Sequence, residues 1–119
     1  MNETPFWSFK RLDNAYNKWQ INEASELLNA LKACEGMTWQ QICSAAGGKS
    51  KGHGSNSHFI PISSLIKEAQ DRLAYLNLDT EDVVFSLRIG NTKRIWGLLR
   101  SRALEIIWYD ENHEICDKN

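Results

Sequence analysis

Apolar and polar positions alternate along the chain from Val83 to Tyr109, in the part of the sequence that reads VVFSLRIGNTKRIWGLLRSRALEIIWY. Alternation with a period of two is typical of β-strands, and Gly90-Asn91 and Arg100-Ser101-Arg102 are turn signals between such strands. The pattern therefore predicts three consecutive antiparallel strands. We take the rest of the chain to be organised around this stretch, which continues to Cys116 through an acidic turn.

The register of the first hairpin decides where its arginines lie. A turn of three residues pairs Arg88 with Arg94 and Ser86 with Trp96, whereas a turn of two residues pairs Leu87 with Arg94. The three-residue turn places both arginines on one polar face and leaves the apolar set on the core face. Because a slip of one residue inverts both faces, the hydrophobic pattern favours the three-residue turn.

Three segments show helical rather than strand spacing. Residues 22–34 carry an apolar stripe behind a capping Asn22, and a helix of about two turns opens with the capping-box pattern TWQQ at Thr38. A third helix is predicted from Ser63 or Ser64 to about Leu76. The helices are predicted to cover one face of the sheet.

Two further stretches complete the prediction. Residues 5–12, PFWSFKRL, suit a short first strand that joins the later sheet, because of their aromatic residues, and residues 59–62 suit an extended edge piece. The fold class is therefore predicted as α+β, with an N-terminal strand, three helices and a three-stranded antiparallel meander, in the order β-α-α-α-β-β-β. Residues 1–119 are expected to form one domain.

The segment 47–58, GGKSKGHGSNSH, is rich in glycine and serine and contains no large apolar residue. It predicts a mobile loop, which is long for a compact domain unless it has a function or is disordered. Both interpretations remain open. His58, at its end, is the residue through which the loop would act as a lid.

Composition is that of an ordinary globular protein, with 42% hydrophobic and 24% charged residues and a formal net charge of −1. The N-terminus has no apolar signal region, and no apolar run approaches the roughly 18 residues that cross a bilayer. The three cysteines form no CxxC pair, which favours reduced thiols. These features predict a cytoplasmic protein that does not interact with membranes.

The absence of known catalytic motifs narrows the possible enzyme classes. The sequence has no GxxxxGK[ST], no GxGxxG after a strand, no HExxH and no GxSxG, so P-loop, zincin and triad-hydrolase chemistry are excluded. His113 and Cys116 are the only close pair of metal-ligand residue types, and His53 and His58 are the other candidates. A zinc site needs three or four convergent ligands, so we predict no metal and no cofactor.

Acid–base chemistry without a metal fits the residue types better. Cleavage of RNA through its own 2′-hydroxyl needs a base, an acid and cations at the phosphate, and histidine and arginine supply these at neutral pH. His58, Arg88, Arg94 and His113 are the catalytic candidates. The competing interpretation is that the arginines are exposed strand residues and that His58 belongs only to the loop.

Charge is unevenly distributed, and this distribution suggests a surface for nucleic acid. The stretch from Val83 to Leu104 has five cations and no acid, and Gly36 to Lys67 has three lysines and no acid. The candidate nucleic-acid-binding residues are Lys49, Lys51, Lys93, Trp96, Arg100 and Arg102. Strand aromatics such as Trp96 stack on bases in some proteins, but they more commonly pack in cores, and solvated charge explains basic strand ends equally well.

The segment FSLRIGNTKRIWGLLRSRALEIIWYDENHEI resembles the C-terminal half of RelE/ParE-type toxins, in which helices precede a basic β-meander that ends near a histidine. It also resembles small bacterial proteins that end in W-x-D-x-x-H, here Trp108, Asp110 and His113. The resemblance implies a metal-independent mRNA endonuclease of a toxin–antitoxin or phage-defence system. Its partners would be RNA or the ribosome and a cognate antitoxin.

A function of a different class is compatible with the same residues. The basic and aromatic strand face would also serve a non-enzymatic protein-interaction module, associated with a phage or with defence. The two hypotheses differ in where the histidines lie. The endonuclease needs His58 or His113 beside Arg88 and Arg94, and the module does not.

Overall fold

A single five-stranded mixed sheet forms the centre of the protein. The computed structural model describes residues 1–45 and 57–116. The strands are β1 (Phe6–Ser8), β2 (His58–Pro61), β3 (Val83–Arg88), β4 (Arg94–Arg100) and β5 (Ala103–Asp110), in the spatial order β1-β5-β4-β3-β2. Strand β1 pairs with β5 in parallel, and β2, β3, β4 and β5 pair as antiparallel neighbours.

The predicted three-stranded meander is therefore wrong. The segment before the third helix is a full strand, β2, and the N-terminal strand joins the sheet beside β5 in parallel. Pairing between distant segments has no local sequence signal, because a β1–β5 contact joins residues almost a whole chain length apart. The sheet is consequently wider than the predicted one and of mixed direction.

Helices cover both faces of the sheet, not one as predicted. Helices α1 (Ala24–Cys34) and α2 (Trp39–Ser44) pack on the first face, and α3 (Lys67–Tyr75) packs on the second. The strand residues buried under α1 and α2 are Phe85, Leu87, Ile95, Leu104 and Ile106. Those buried under α3 are Val84, Trp96, Leu98, Ile107 and Trp108. Strand β5 is apolar on both sides because both sides are buried.

Local helix signals had mixed outcomes. The capping box is confirmed, since the Thr38 hydroxyl accepts from the Gln41 backbone N–H and the Gln41 side chain accepts from the Thr38 N–H. The predicted start of the third helix is wrong, because residues Ile62–Ser64 form a 3-10 turn and α3 begins at Lys67. Its cap residue, Ile66, has no side-chain acceptor, and a backbone bond to the carbonyl of Ile115 satisfies its own N–H.

The predicted hairpin register is confirmed. Arg88 pairs with Arg94 and Ser86 with Trp96. The interpretation of the faces is wrong, however, because the face that carries both arginines is the one covered by α3. The arginines therefore lie at the edge of a second core rather than on an open polar surface.

An irregularity in the β4–β5 ladder brings two backbones close together. Trp96 pairs with Trp108 and Gly97 pairs with Ile106, so Ile107 is the extra residue of a β-bulge. The bulge turns Ile107 and Trp108 toward the same core. Glycine is required at Gly97, because its α-carbon lies against the β5 backbone.

The segment between β1 and α1 crosses the α3 side of the sheet and is anchored by Asp13. Its buried carboxylate accepts two hydrogen bonds of 2.8 Å from the Arg72 guanidinium and one of 2.9 Å from the Trp108 indole. The Asp13 N–H bonds the carbonyl of Ile107, and the Tyr109 N–H bonds the carbonyl of Trp19. These contacts fix β5 in place from the side opposite α1.

Within the described ranges, no helix has the length and apolar character that crossing a bilayer requires.

Replacement of Gly97 by alanine is expected to destabilise the fold by about 1–3 kcal/mol. A Cβ at this position would lie 2.3 Å from the Glu105 carbonyl oxygen, so the ladder would have to separate. Gly36→Ala is the matched control, because nothing lies within 4 Å of a Cβ there. Urea denaturation measures both variants, and equal stabilities would show that the bulge is not tightly packed.

Asp13→Asn is expected to lower stability at neutral pH by about 3 kcal/mol, because it leaves the Arg72 guanidinium without its counter-charge. Burial would raise the pKa of Asp13, but hydrogen bonds from Arg72 and Trp108 and the charge of Arg72 outweigh it and hold the pKa below its ordinary value of 3.8. The stability from this depressed pKa is complete above pH 3.8 and is lost as the pH falls through the folded-state pKa.

The difference between wild type and Asp13→Asn should therefore shrink in acid, as measured by urea denaturation at about pH 7 and about pH 3. Asp71→Asn serves as the control, since the Lys67–Asp71 pair is exposed and should contribute little at either pH. A difference that is the same at both pH values would contradict the ionic anchoring of this segment.

Candidate functional site

The four predicted catalytic residues belong to the face of the sheet under α3. His58 is opposite Ser86, Arg88 is opposite Arg94, and Arg94 is in turn opposite Asp110. Side chains directly opposite one another in a ladder lie on one face with Cβ atoms about 5 Å apart. His113, in the segment after β5, lies close enough to feel the charges of Arg94 and Asp110. We call Arg88, Arg94 and His113 the Arg–His cluster.

Arg94 is buried, with only 2% of its surface exposed. Its Nη1 donates to the carbonyl oxygens of Gly90, Asn91 and Lys93 at 3.2–3.3 Å, so the guanidinium is held beneath the β3–β4 turn. Its Nε is buried and has no hydrogen-bond partner among residues 1–45 and 57–116. Burial first, and then the charge of Arg88, lower the pKa of Arg94, while Asp110 opposes them. The turn carbonyls thus hold the guanidinium through Nη1, while its Nε–H is left without an acceptor in this part of the chain.

Arg88 is half-buried at the end of β3. Its backbone N–H donates to the buried Ser57 hydroxyl at 2.8 Å, which fixes the end of the strand. Its Nε is buried and, like that of Arg94, has no partner in the described part of the chain. The Nε–H groups of two arginines on adjacent strands are therefore both unsatisfied there.

Asp110 is the acid that faces the two arginines, and its oxygens are already occupied. Oδ2 accepts from the Trp96 indole at 3.2 Å and from the Ile115 N–H at 3.0 Å, and Oδ1 accepts from the Glu114 N–H at 3.0 Å. In residues 1–45 and 57–116, no carboxylate oxygen lies within the 4.0 Å of an ion pair from either guanidinium. Asp110 therefore fastens the tail of the chain and leaves Arg88 and Arg94 without a paired carboxylate in this part of the protein.

His113 occupies the turn that Asp110 fastens. Its φ of 59° lies in the left-handed region, and its buried Nε2 has no hydrogen-bond partner among the described residues. Burial first, and then the charge of Arg94, lower the pKa of His113 below its ordinary value of 6.5, while Asp110 acts in the opposite direction. The imidazole is consequently neutral at neutral pH.

The Arg–His cluster contributes the unpartnered buried side-chain nitrogens in the described part of the chain: Arg88 Nε, Arg94 Nε and His113 Nε2. A buried donor without an acceptor costs about 1–3 kcal/mol, and a charged donor costs more. Unpartnered buried N–H groups are rare in folded proteins and suggest that a partner is missing. An anion suits these groups, because its oxygens accept charge-assisted hydrogen bonds from guanidinium and imidazolium donors. The arrangement is chemically suited to an oxyanion.

His58 begins β2 and is half-buried on the same face as the Arg–His cluster. The sheet thus brings the four catalytic candidates to one side of the molecule. The endonuclease hypothesis required this placement, and the interaction-module hypothesis did not.

The predicted nucleic-acid-binding residues are placed less favourably. Lys93 pairs with Glu26 at 2.6 Å, Arg100 pairs with Glu81 at 2.7 Å and with Glu105 at 3.2 Å, and Arg102 donates to Thr4 at 3.0 Å. The Trp96 indole is 1% exposed and donates to Asp110, so it offers no face to a base. Lys49 and Lys51, with His53 and most of the predicted loop 47–58, lie outside the described residues.

Sequence reasoning gave Ser57 and Asp110 no role in the site. Ser57 fixes the end of β3, and Asp110 positions His113. The signal for Asp110 was present in the spacing Trp108, Asp110, His113, because a carboxylate after a buried strand commonly accepts from the N–H groups of the following turn. No such signal exists for Ser57, whose partner is 31 residues away.

A cavity of about 400 Å³ lies beside α1, α2 and the β3–β4 turn, and Arg88 and Ser57 are among the residues that line it. Its lining is mainly apolar and includes Ala33, Met37, Ile42 and Ile89. Among residues 1–45 and 57–116, no three of the His, Cys, Asp and Glu side chains are arranged to hold a metal ion. The Arg–His cluster is therefore the arrangement in the described structure with the clearest chemical use.

Comparison with known proteins assigns no family to the chain: it matches no family model, no curated protein and no solved structure.

Proposed function

We propose that the protein binds an oxyanion, best matched by a phosphate group, at the Arg–His cluster. The single observation that supports this proposal is the set of three buried nitrogens without partners, two of them on arginines. An acceptor with several oxygens would satisfy these donors together, whereas a single water would leave the like charges of Arg88 and Arg94 in place.

Guanidinium groups suit this task better than ammonium groups. Their fixed fork of donors matches the geometry of phosphate and carboxylate oxygens, and charge-assisted hydrogen bonds are about twice as strong as neutral ones. The three turn carbonyls that hold Arg94 reduce the entropy lost when an anion binds. Asp110 stabilises the charge of Arg94 but forms no ion pair with either guanidinium in the described structure, because three N–H groups hold its carboxylate.

The expected mode of recognition is one phosphate group rather than a stretch of nucleic-acid backbone. Lys93 and Arg100 are paired with carboxylates, so they add little free positive charge along the strands, and the Arg102 guanidinium is held by Thr4. Affinity for extended nucleic acid grows with the number of phosphates neutralised. A site with two arginines and little other free charge is therefore expected to bind a single phosphate group rather than a stretch of nucleic-acid backbone.

A second candidate function is metal-independent cleavage of RNA, as the resemblance to RelE/ParE-type toxins implies. The placement of His58, Arg88, Arg94 and His113 on one face favours it. A neutral His113 would accept the proton of the 2′-hydroxyl, and the arginines would stabilise the charge that develops on the phosphate. RNA or the ribosome, and an antitoxin that covers this face, are the partners that this function would require.

Inorganic phosphate is expected to bind the wild-type protein and to shift the Nε–Hε signals of Arg88 and Arg94 in NMR spectra. Arg88→Met should weaken binding at least about tenfold, because it removes a charge-assisted hydrogen bond worth roughly 1.5–3 kcal/mol. Arg102→Met is the matched control, since the Arg102 guanidinium is occupied by Thr4. Equal affinity of both variants for phosphate would contradict the proposed site.

Inducible expression in bacteria separates the second candidate from simple anion binding. Cleavage predicts growth arrest by the wild type that His113→Ala and Arg94→Ala relieve, with Arg102→Met still toxic. Purified wild-type protein should also cleave RNA in the presence of a chelator, since the proposed chemistry uses no metal. Normal growth with the wild type, at a confirmed level of folded protein, would dismiss the toxin hypothesis and leave anion binding as the function.

A further inference from the structure

The tail that carries His113 is held by contacts on three sides. The Asp110 carboxylate accepts from the N–H groups of Glu114 and Ile115, and the Ile115 carbonyl accepts from the Ile66 N–H at 2.9 Å. The Thr92 hydroxyl donates to the Glu111 carbonyl at 2.9 Å. His113 is therefore placed beside Arg94 by fixed backbone contacts rather than by chance orientation of a free tail.

The charges around His113 come from several strands. Arg94 and Asp110 act on it directly, from β4 and from the end of β5. Arg88 lies opposite Arg94 on β3, and Glu111 and Glu114 are the other charged groups of the segment that carries His113. Among residues 1–45 and 57–116, the buried Nε2 of His113 has no hydrogen-bond partner.

We propose that His113 is the third ligand of the anion and that binding takes up one proton on its imidazole. This inference rests on the proposed function, because it concerns the anion at the Arg–His cluster. The proton comes from the buffer, Nε2–H then donates to an anion oxygen, and no other bond forms or breaks. The affinity for the anion is thereby coupled to pH through His113.

Proton uptake on binding is expected because the anion changes the local charge at His113. Without an anion, a proton on His113 would add a third positive charge beside Arg94 and Arg88 in a partly buried place, which burial and Arg94 both disfavour. A dianion between these groups reverses the sign of the nearest charge and stabilises the imidazolium. Thermodynamic linkage is reciprocal: if the bound anion favours protonation of His113, then protonation of His113 favours binding of the anion. The anion must therefore bind more tightly at lower pH.

The sign of the linkage is fixed by these two states. In the free protein the pKa of His113 lies below 6.5, so protonation of the free site is suppressed at neutral pH. With the anion bound the pKa rises. Affinity therefore increases as the pH falls through the bound-state pKa and levels off below the free-state pKa, by up to about tenfold for each pH unit between them.

Sulfate is the probe that tests this, because it remains a dianion near neutral pH, whereas a phosphate monoester titrates near pH 6. Isothermal titration calorimetry between about pH 5 and pH 8, in two buffers of different ionisation heat, gives both the affinity and the protons taken up. For the wild type we expect uptake approaching one proton per sulfate and affinity that rises as the pH falls. NMR titration of the His113 ring should show a higher pKa with sulfate than without.

His113→Gln keeps an amide donor but cannot titrate, so it should bind sulfate with little proton uptake and a flat pH profile. Arg102→Met is the matched control, because its guanidinium donates to Thr4, and it should keep the wild-type pH dependence. Thermal melting establishes that both variants are folded. Persistence of the pH dependence in His113→Gln, or its loss in Arg102→Met alone, would overturn the assignment to His113.

The outcomes separate this inference from the proposed function. Sulfate binding to the wild type with no proton uptake would reject the role of His113 and leave the anion site standing. Absence of sulfate binding at every pH would reject the anion site, and the proton coupling with it.

Discussion

The buried carboxylate of Asp110 is the contact on which the second face of the protein depends. It ends β5 opposite Arg94, accepts the Trp96 indole from β4, and closes the turn that leads to Ile115. A fully buried carboxylate is costly unless several donors satisfy it, and three N–H groups do so here. This one side chain therefore joins the sheet to the tail and sets the position of His113.

Because Asp110 is used for this purpose, the arginines beside it are left without a paired carboxylate in the described structure. Three other arginines of the described structure are paired with carboxylates: Arg72 pairs with Asp13, and Arg11 and Arg100 pair with Glu105. The Arg–His cluster is the exception to this pattern. Unsatisfied buried donors cost stability, and proteins accept such costs at places where a ligand later supplies the missing partner.

Sequence reasoning succeeded where the controlling interaction is local. The capping box at Thr38 spans three residues, and the pairing of Arg88 with Arg94 follows from one turn and the alternation around it. It failed where the interaction joins distant segments, as in the parallel pairing of β1 with β5 and the addition of β2 to β3. The same limit explains why the face of the arginines was expected to be open, since no local pattern shows that α3 packs on that face of the sheet.

For the candidate site too, the sequence predicted the local features and missed those that depend on distant residues. The membership of Arg88 and Arg94 was readable from the hairpin, but their burial was not, and neither was the engagement of Lys93 by Glu26, 67 residues earlier. Ion pairs between distant residues remove charges from a surface that the sequence alone presents as basic. What remains is a smaller and more specific feature than a basic strand face: one cluster of donors that lacks an acceptor.

A crystal structure of the protein grown with sulfate tests the central claim most directly. The account predicts a sulfate whose oxygens lie roughly 3 Å from Arg88 Nε and Arg94 Nε, with Asp110 still bonded to Trp96 and to the tail. Sulfate elsewhere on the surface, with both nitrogens bonded instead to protein oxygens or to an ordered water, would contradict it.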